Sequence, residues 1–170
     1  PQVKSIKITL YRVAKHSNVI NALINAVRNG KTVVVVIELQ ARFDEEANIY
    51  WTNRLVEEGV KVISGVPGLK VHAKLCIIER KEERKLVNYV NIGTGNYNES
   101  TARLYCDESF FTADERIAEE VQRIFSYLED NTKIWHSHWN FKHLIVSPFF
   151  MRKYFIKLIN KEIENSKKGR

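Results

Sequence analysis

The chain has 170 residues, 44% of them hydrophobic, which is enough for one ordinary core and suits a single domain. It contains no run of about 20 uncharged apolar residues, so the sequence predicts no membrane-spanning helix. The net charge of +7 comes from the end of the chain: residues 1–130 hold 18 basic and 18 acidic side chains, whereas the last forty hold 9 and 2. DNA-binding domains usually spread basic residues over their main body, so we expect no DNA partner.

The first half of the chain alternates strand patterns with helix patterns. Its β-branched run TVVVVIEL is typical of a strand covered on both faces, as in a parallel sheet. This order predicts an α/β fold with a mixed, mostly parallel sheet flanked by helices. The predicted elements are a strand at 3–10, a helix capped by Ser17 and ended by Gly30, a strand at 32–39, a helix at 44–58 and a strand at 60–64.

The second half predicts more strands, followed by two helices. These elements are strands at 73–79, 86–92 and 104–112, a helix with a capping box of Thr112 and Glu115, and a helix that begins at Ser147 and Pro148. We expect a single domain over residues 1–170, in which residues 148–170 form a basic helix that leads toward a second domain. Because the first residue is not methionine, we expect the chain to be a piece of a longer protein.

A histidine and a lysine, His72 and Lys74, stand two residues apart at the start of a predicted strand. Alternate side chains of a strand point to the same face, so the two groups should act on one ligand. A neutral imidazole nitrogen is a competent nucleophile near pH 7, and a lysine beside it can hold negative charge. The pattern favours a histidine nucleophile at an anion site.

A second motif follows the next predicted strand, in the loop formed by residues 93–96, GTGN. Its glycines permit a tight turn whose backbone N–H groups can face an anion. The hydroxyl of Thr94 and the amide of Asn96 add further polar groups. Either motif alone is weak, but together they indicate a phosphate site.

The order HxK, strand, G(S/T)xN resembles the half-site of the phospholipase D superfamily, whose histidine forms a covalent phospho-enzyme. The chain departs from that superfamily at Glu79, where aspartate is usual. Longer strings, including GLKVHAKL at 68–75 and NIGTGNYNESTARLY at 91–105, resemble consecutive signature blocks of polyphosphate kinase family 1. The resemblance runs over about residues 6–161 and points to the first of that family's two phospholipase-D-like C-terminal domains.

This resemblance implies a role for each motif residue. His72 would be the phosphorylated nucleophile, and Lys74 would clamp phosphate oxygens during the transfer. Thr94 and Asn96 would bind phosphate, and the ring of Tyr105 would contact the nucleotide.

The resemblance also associates Arg12 and Arg42 with magnesium and phosphate. A guanidinium has no lone pair for a metal, so we assign both to a phosphate that carries Mg²⁺ and not to direct coordination. Asn91 departs from the family pattern, in which many relatives carry histidine, so a further role of that histidine would be missing here.

The implied activity is an ATP–polyphosphate phosphotransferase that moves the γ-phosphate of Mg-ATP to inorganic polyphosphate and back through a phosphohistidine. Its partners would be ATP or ADP, polyphosphate, the remaining domains of the same chain and, in the intact enzyme, further copies of itself. We expect the isolated fragment to lack full activity. We expect a cytoplasmic location, with peripheral attachment to the inner membrane as the alternative.

Two other functions remain open from the residues. A single-HxK phosphodiesterase or nuclease would complete its site by homodimerisation, because the superfamily mechanism needs two half-sites. A non-catalytic polyanion-binding module would depend on the basic tail.

Overall fold

The computed structural model describes residues 2–39, 45–130 and 141–169. The chain divides into two compact units, Pro1–His136 and Ser137–Arg170. The described part of the first unit contains β1 (Val3–Leu10), α1 (Asn18–Arg28), β2 (Thr32–Ile37), α2 (Glu45–Glu57), β3 (Lys61–Ser64), β4 (Lys74–Glu82), β5 (Lys85–Gly93), a short 3₁₀ turn (Thr101–Arg103), β6 (Ser109–Thr112) and α3 (Glu115–Glu129).

The six strands form one mixed sheet in the order β3-β2-β1-β4-β5-β6. The pairings of β1 with β2 and of β2 with β3 are parallel. The pairings of β4 with β1, of β5 with β4 and of β6 with β5 are antiparallel. The predicted α/β class is confirmed, but the sheet is less parallel than predicted. Only two residues separate β4 from β5, too few for the crossover that a parallel pair requires.

Strand β2 lies at the centre of the hydrophobic core. All five of its residues from Val33 to Ile37 are buried, as its β-branched sequence predicts for a strand covered on both faces. One cluster joins its side chains to the apolar face of α1, through Ile20 and Leu23, and to Leu55 of α2. Both helices are thereby packed on the sheet.

The structure confirms the N-terminal cap predicted for α1 but not the one predicted for α3. The Ser17 hydroxyl accepts a hydrogen bond from the Ile20 N–H at 3.2 Å, so the predicted cap of α1 is confirmed. The cap of α3 is Asp114 and not Thr112, because the Asp114 carboxylate accepts from the Arg116 N–H at 2.9 Å. Thr112 instead accepts from the backbone N–H of Asp114, which leaves it two residues before the cap.

The strand predicted at 104–112 is correct only for its last part. Asn98 Oδ1 accepts hydrogen bonds from the N–H groups of Ser100 and Thr101, and the 3₁₀ turn begins there. The N–H groups of Leu104 and Tyr105 both donate to the Thr101 carbonyl, so the first residues of the predicted strand belong to this turn. Leu104 is 80% exposed, and pairing with β5 starts at Ser109.

The second unit contains helix α4 (Met151–Lys167). The structure describes all of α4, and none of its side chains is buried. Its start is a few residues beyond the predicted Ser147 and Pro148. The prediction of one domain over residues 1–170 stays a prediction. No helix among the described residues is long and apolar enough to cross a membrane.

One buried side chain, Asn48 of α2, holds the ends of two central strands. Its Nδ2 donates to the carbonyls of Tyr11 at 2.9 Å and Glu38 at 2.8 Å, and its Oδ1 accepts from the Val13 N–H at 3.3 Å. Asn48 is 0% exposed. Backbone groups at the ends of β1 and β2 therefore depend on a single amide.

Replacing Asn48 by alanine should lower the free energy of unfolding by about 2–4 kcal/mol, because buried backbone groups lose their partner. Urea unfolding of the 170-residue chain measures the change. Asn53→Ala is the matched control in the same helix, since Asn53 is exposed and its loss should change stability by less than about 0.5 kcal/mol. Equal unfolding midpoints for the two variants would contradict this role.

Candidate phosphate site at one edge of the sheet

The strand directions bring the predicted motifs to one edge of the sheet. Strands β1 and β5 both end at this edge, and the antiparallel β4 begins there, with Lys74 paired to Gly93. The segment that contains His72 therefore lies beside the residues that follow β1 and beside the GTGN loop. Groups far apart in sequence form a single cluster.

The Lys74 ammonium contacts the His72 ring directly. Its Nζ lies 3.0 Å from Nδ1 and 3.1 Å from Nε2, and it donates to the His72 carbonyl at 2.6 Å. Lys74 is 5% exposed, whereas His72 is exposed. A ring nitrogen can accept from an ammonium only when it has a lone pair, so this contact suits a neutral imidazole.

Burial and local charge lower both pKa values of the pair. Burial is the main cause that lowers the pKa of Lys74 to about 8; the Asp107 carboxylate opposes it and Arg12 adds to it. Desolvation, followed by the charges of Lys74, Arg12 and Lys70, lowers the pKa of His72. At pH 7 the pair consequently consists of a neutral imidazole and a lysine that is mostly charged.

The GTGN loop is held by the segment that precedes β6. The Thr94 hydroxyl donates to Asp107 Oδ1 at 3.0 Å and accepts from the Glu108 N–H at 2.9 Å. A Cβ at Gly95 would overlap the Asp107 carboxylate, so glycine is required there by close approach. Sequence reasoning missed Asp107, because it lies in a stretch that was predicted as strand.

Asn96 offers a polar atom that protein does not satisfy. Its Oδ1 position is buried and has no hydrogen-bond partner among the described residues. Buried polar atoms without partners are rare and costly, and amide oxygen and nitrogen can exchange places by a rotation. A rotated amide would place N–H donors at this position, and such donors are groups that bind phosphate oxygens.

Asn91, on β5 just before the GTGN loop, has a side chain that is hydrogen-bonded within the protein. Its side chain is 8% exposed and accepts from the Tyr97 hydroxyl at 2.6 Å. Burial raises the pKa of Tyr97, so its hydroxyl stays protonated and remains a donor. Asn91 is thus part of a partly buried pair that anchors the chain on both sides of the GTGN loop.

The pair of Asn91 and Tyr97 should contribute to stability. We expect Tyr97→Phe to lower the free energy of unfolding by about 1–2 kcal/mol, because a buried amide loses its donor. The matched control is Tyr89→Phe, whose hydroxyl makes an equally short 2.6 Å bond to Glu82 but is exposed. Urea unfolding should show a change below about 0.5 kcal/mol for that control; a reversed order would contradict the prediction.

The turn after β1 adds an arginine and an aromatic ring. The Arg12 guanidinium lies over the Tyr11 ring, with 5.8 Å from Cζ to the centroid, and Lys74 Nζ lies 5.2 Å from the same centroid. The rings of Tyr11 and His72 meet at 4.5 Å in a T-shaped contact. Sequence reasoning placed Arg12 at this edge but assigned no role to Tyr11.

Tyr105 and Arg42 complete the set of predicted site residues. Tyr105 is 67% exposed in the loop after the 3₁₀ turn, so it is not the strand residue that was predicted. Arg42 lies outside the described residues. The nucleotide and phosphate roles of these two residues stay predictions.

The cluster suits phosphate better than a bare metal ion. Besides His72 and Asp107, its side chains are cations and amide or hydroxyl groups, which bind phosphate oxygens. Among the described residues, no group of three or more His, Cys, Asp or Glu could hold a metal. A magnesium ion bound to this cluster would therefore be held through phosphate.

The fold and the HxK cluster define a phospholipase-D-like α/β domain. NucT from Helicobacter pylori has the same fold, with a TM-score of 0.55 and 16% identity over 78% of this chain and 80% of that one. Within this class the chain belongs to the polyphosphate kinase family, since the family's "Polyphosphate kinase C-terminal domain 1" matches residues 1–134.

Individual relatives agree with this assignment. The chain is 54% identical over 170 residues to the polyphosphate kinase of Vibrio vulnificus strain YJ016 and 52% identical over 169 residues to that of Escherichia coli K12. It covers 24% of each of these proteins. The crystal structure of polyphosphate kinase from Porphyromonas gingivalis matches with a TM-score of 0.81 and 38% identity over 100% of this chain and 28% of that one. The chain thus spans about a quarter of the length of its relatives.

Proposed function

We propose that, in the full-length protein, this domain carries the phosphate-accepting histidine of an ATP–polyphosphate phosphotransferase. The observation that carries the proposal is the contact of a buried lysine with an exposed, neutral histidine, in a chain that belongs to the polyphosphate kinase family. A neutral imidazole is the nucleophile and the lysine is the charge that attracts the phosphate.

In this reaction a ring nitrogen of His72 attacks the γ-phosphorus of ATP. The bond from phosphorus to the β–γ bridging oxygen breaks, and that oxygen leaves with ADP. The phosphohistidine then transfers its phosphoryl group to a terminal oxygen of polyphosphate, which restores the imidazole. The same steps in reverse make ATP from polyphosphate.

The cations of the cluster stabilise the charge that spreads over the transferring phosphoryl group. Lys74 and Arg12 would bind its oxygens, Asn96 would donate from its amide, and Arg42 is proposed to bind phosphate as well. Thr94 contributes by holding the loop through Asp107. Mg²⁺ would supply charge neutralisation on the nucleotide, and Tyr105 is proposed to contact the base.

The rest of the proposal concerns the whole protein. Its substrates would be ATP or ADP and polyphosphate, its remaining domains would complete the site, and it would act as a homo-oligomer. We propose a cytoplasmic location, with peripheral attachment to the inner membrane as the alternative. The phosphodiesterase and polyanion-binding alternatives have less support, because the likeness to NucT concerns the fold alone and the relatives are polyphosphate kinases.

Phosphate mapping tests the proposal directly. The full-length protein is incubated with Mg-ATP and analysed by mass spectrometry at neutral or alkaline pH, where phosphohistidine survives. We expect phosphate on His72, and we expect added polyphosphate to remove it. His72→Ala should abolish the label, whereas the control His16→Ala, at an exposed histidine, should keep it. A folded wild-type protein without phosphate on His72 would refute the proposal.

The pH dependence of phosphohistidine formation should have two limbs. His72 must be neutral to attack, and its pKa is lowered, so the rate should fall with decreasing pH only below the ordinary histidine value of about 6.5. Lys74 must be charged, and its pKa is about 8, so the rate should fall as the pH rises through 8. Single-turnover rates between pH 5 and pH 10 measure both limbs. A rate that keeps rising above pH 9 would exclude the charged lysine.

A further inference from the structure

Tyr11 is brought to the nucleophile by the pairing of two neighbouring strands. The Thr9 hydroxyl, two residues earlier, donates to the Ala73 carbonyl at 2.6 Å and accepts from the Leu75 N–H at 2.9 Å. These bonds hold the end of β1 against the segment that contains the histidine. Tyr11, the first residue after β1, therefore lies beside His72.

A hydrogen bond from a buried side chain fixes the backbone of Tyr11. Its carbonyl accepts from Asn48 Nδ2 at 2.9 Å, and the same amide binds the Val13 N–H. Because Asn48 is fully buried, the turn that carries the Tyr11 ring is attached to the helix layer. The ring can thus act as a fixed support for a neighbouring group.

The His72 ring needs such a support. Histidines that act in catalysis are usually oriented by a carboxylate or carbonyl bound to the second ring nitrogen. Within the described ranges, the His72 ring has no such partner. The Lys74 ammonium lies at nearly equal distances from both ring nitrogens, so it does not select the nitrogen that faces a substrate.

The Tyr11 ring makes the contact that can orient His72. The two centroids are 4.5 Å apart and the planes meet at 70°, which is a favourable edge-to-face arrangement. The same ring lies near the charged groups of Lys74 and Arg12. The negative face of an aromatic ring attracts cations, so the Tyr11 ring offsets part of the repulsion between these two groups.

We propose that Tyr11 is a positioning residue for phosphoryl transfer, whose ring holds the His72 imidazole so that one nitrogen faces the incoming phosphate. The inference rests on the proposed function, because it takes His72 as the nucleophile. The ring carries the role and the hydroxyl does not. Tyr11 should therefore affect the rate of the transfer and leave nucleotide binding unchanged.

Single-turnover phosphorylation of the full-length protein by Mg-ATP tests the proposal. Tyr11→Leu removes the ring and should lower the maximal rate of phosphohistidine formation about tenfold, as expected for the loss of one aromatic contact that acts on the transition state. The ATP concentration at half-maximal rate should stay within about twofold. Tyr11→Phe restores the ring and should recover the rate to within about twofold of the wild type.

Tyr89→Leu is the matched control and should leave the rate unchanged, because Tyr89 lies on β5 with its hydroxyl bound to Glu82. Tyr11→Met should reproduce the loss if Tyr11→Leu fails to fold. A wild-type rate in a folded Tyr11→Leu or Tyr11→Met protein, a change confined to the half-saturating ATP concentration, or a Tyr11→Phe variant as slow as Tyr11→Leu would each overturn the positioning role. In those cases, phosphate found on His72 of the wild-type protein would still support the proposed function. If wild-type His72 carries no phosphate, both the proposed function and the positioning role of Tyr11 are overturned.

Discussion

The antiparallel pairing of β1 with β4 is the constraint on which the site depends. It places the beginning of β4 at the edge where β1 ends, so the HxK segment meets the turn that carries Tyr11 and Arg12. The Thr9 hydroxyl strengthens this junction by bonding to the chain on both sides of Lys74. The next strand, β5, ends at the same edge and adds the GTGN loop. A change of register by one residue would turn Lys74 to the other face of the sheet.

A second constraint is electrostatic. Three cationic side chains, Arg12, Lys70 and Lys74, act on His72, and their charges lower its pKa further after desolvation. Asp107 is the acidic group that acts on Lys74 in the opposite direction. Positive charge in excess of negative charge attracts a phosphate, and it also keeps the imidazole neutral and nucleophilic. In the proposed reaction, the arrangement would couple substrate binding to the protonation state that the attack requires.

Buried polar side chains hold the loops of this edge. Asn48 binds the ends of β1 and β2, and the Glu38 carboxylate accepts from the Val71 N–H at 3.2 Å, just before the histidine. On the other side, the bond of Tyr97 to Asn91 secures the GTGN loop to β5. Irregular backbone at the edge of a sheet is a poor support by itself. These bonds give the cluster the rigidity that positioned groups require.

The sequence by itself determined most of the elements and predicted a chemical type for the site. Periodicity records which face of a segment is buried, so β1, α1, β2 and α2 were predicted close to their bounds. The HxK and GTGN motifs indicated a histidine nucleophile and a phosphate, because those residue types carry their chemistry wherever the fold places them. The resemblance to polyphosphate kinases, carried by long ordered strings, was confirmed.

Tertiary structure alone decided how the elements meet. Local patterns do not specify a strand's partner, so the number of antiparallel pairings, the contact of Tyr11 with His72 and the bond of Thr94 to Asp107 could not be predicted. The error at the start of the strand predicted at 104–112 has a related cause, since the N–H groups of Leu104 and Tyr105 donate to the Thr101 carbonyl and not to a neighbouring strand. The residue types predicted a chemistry, whereas the geometry depended on contacts between segments distant in the chain.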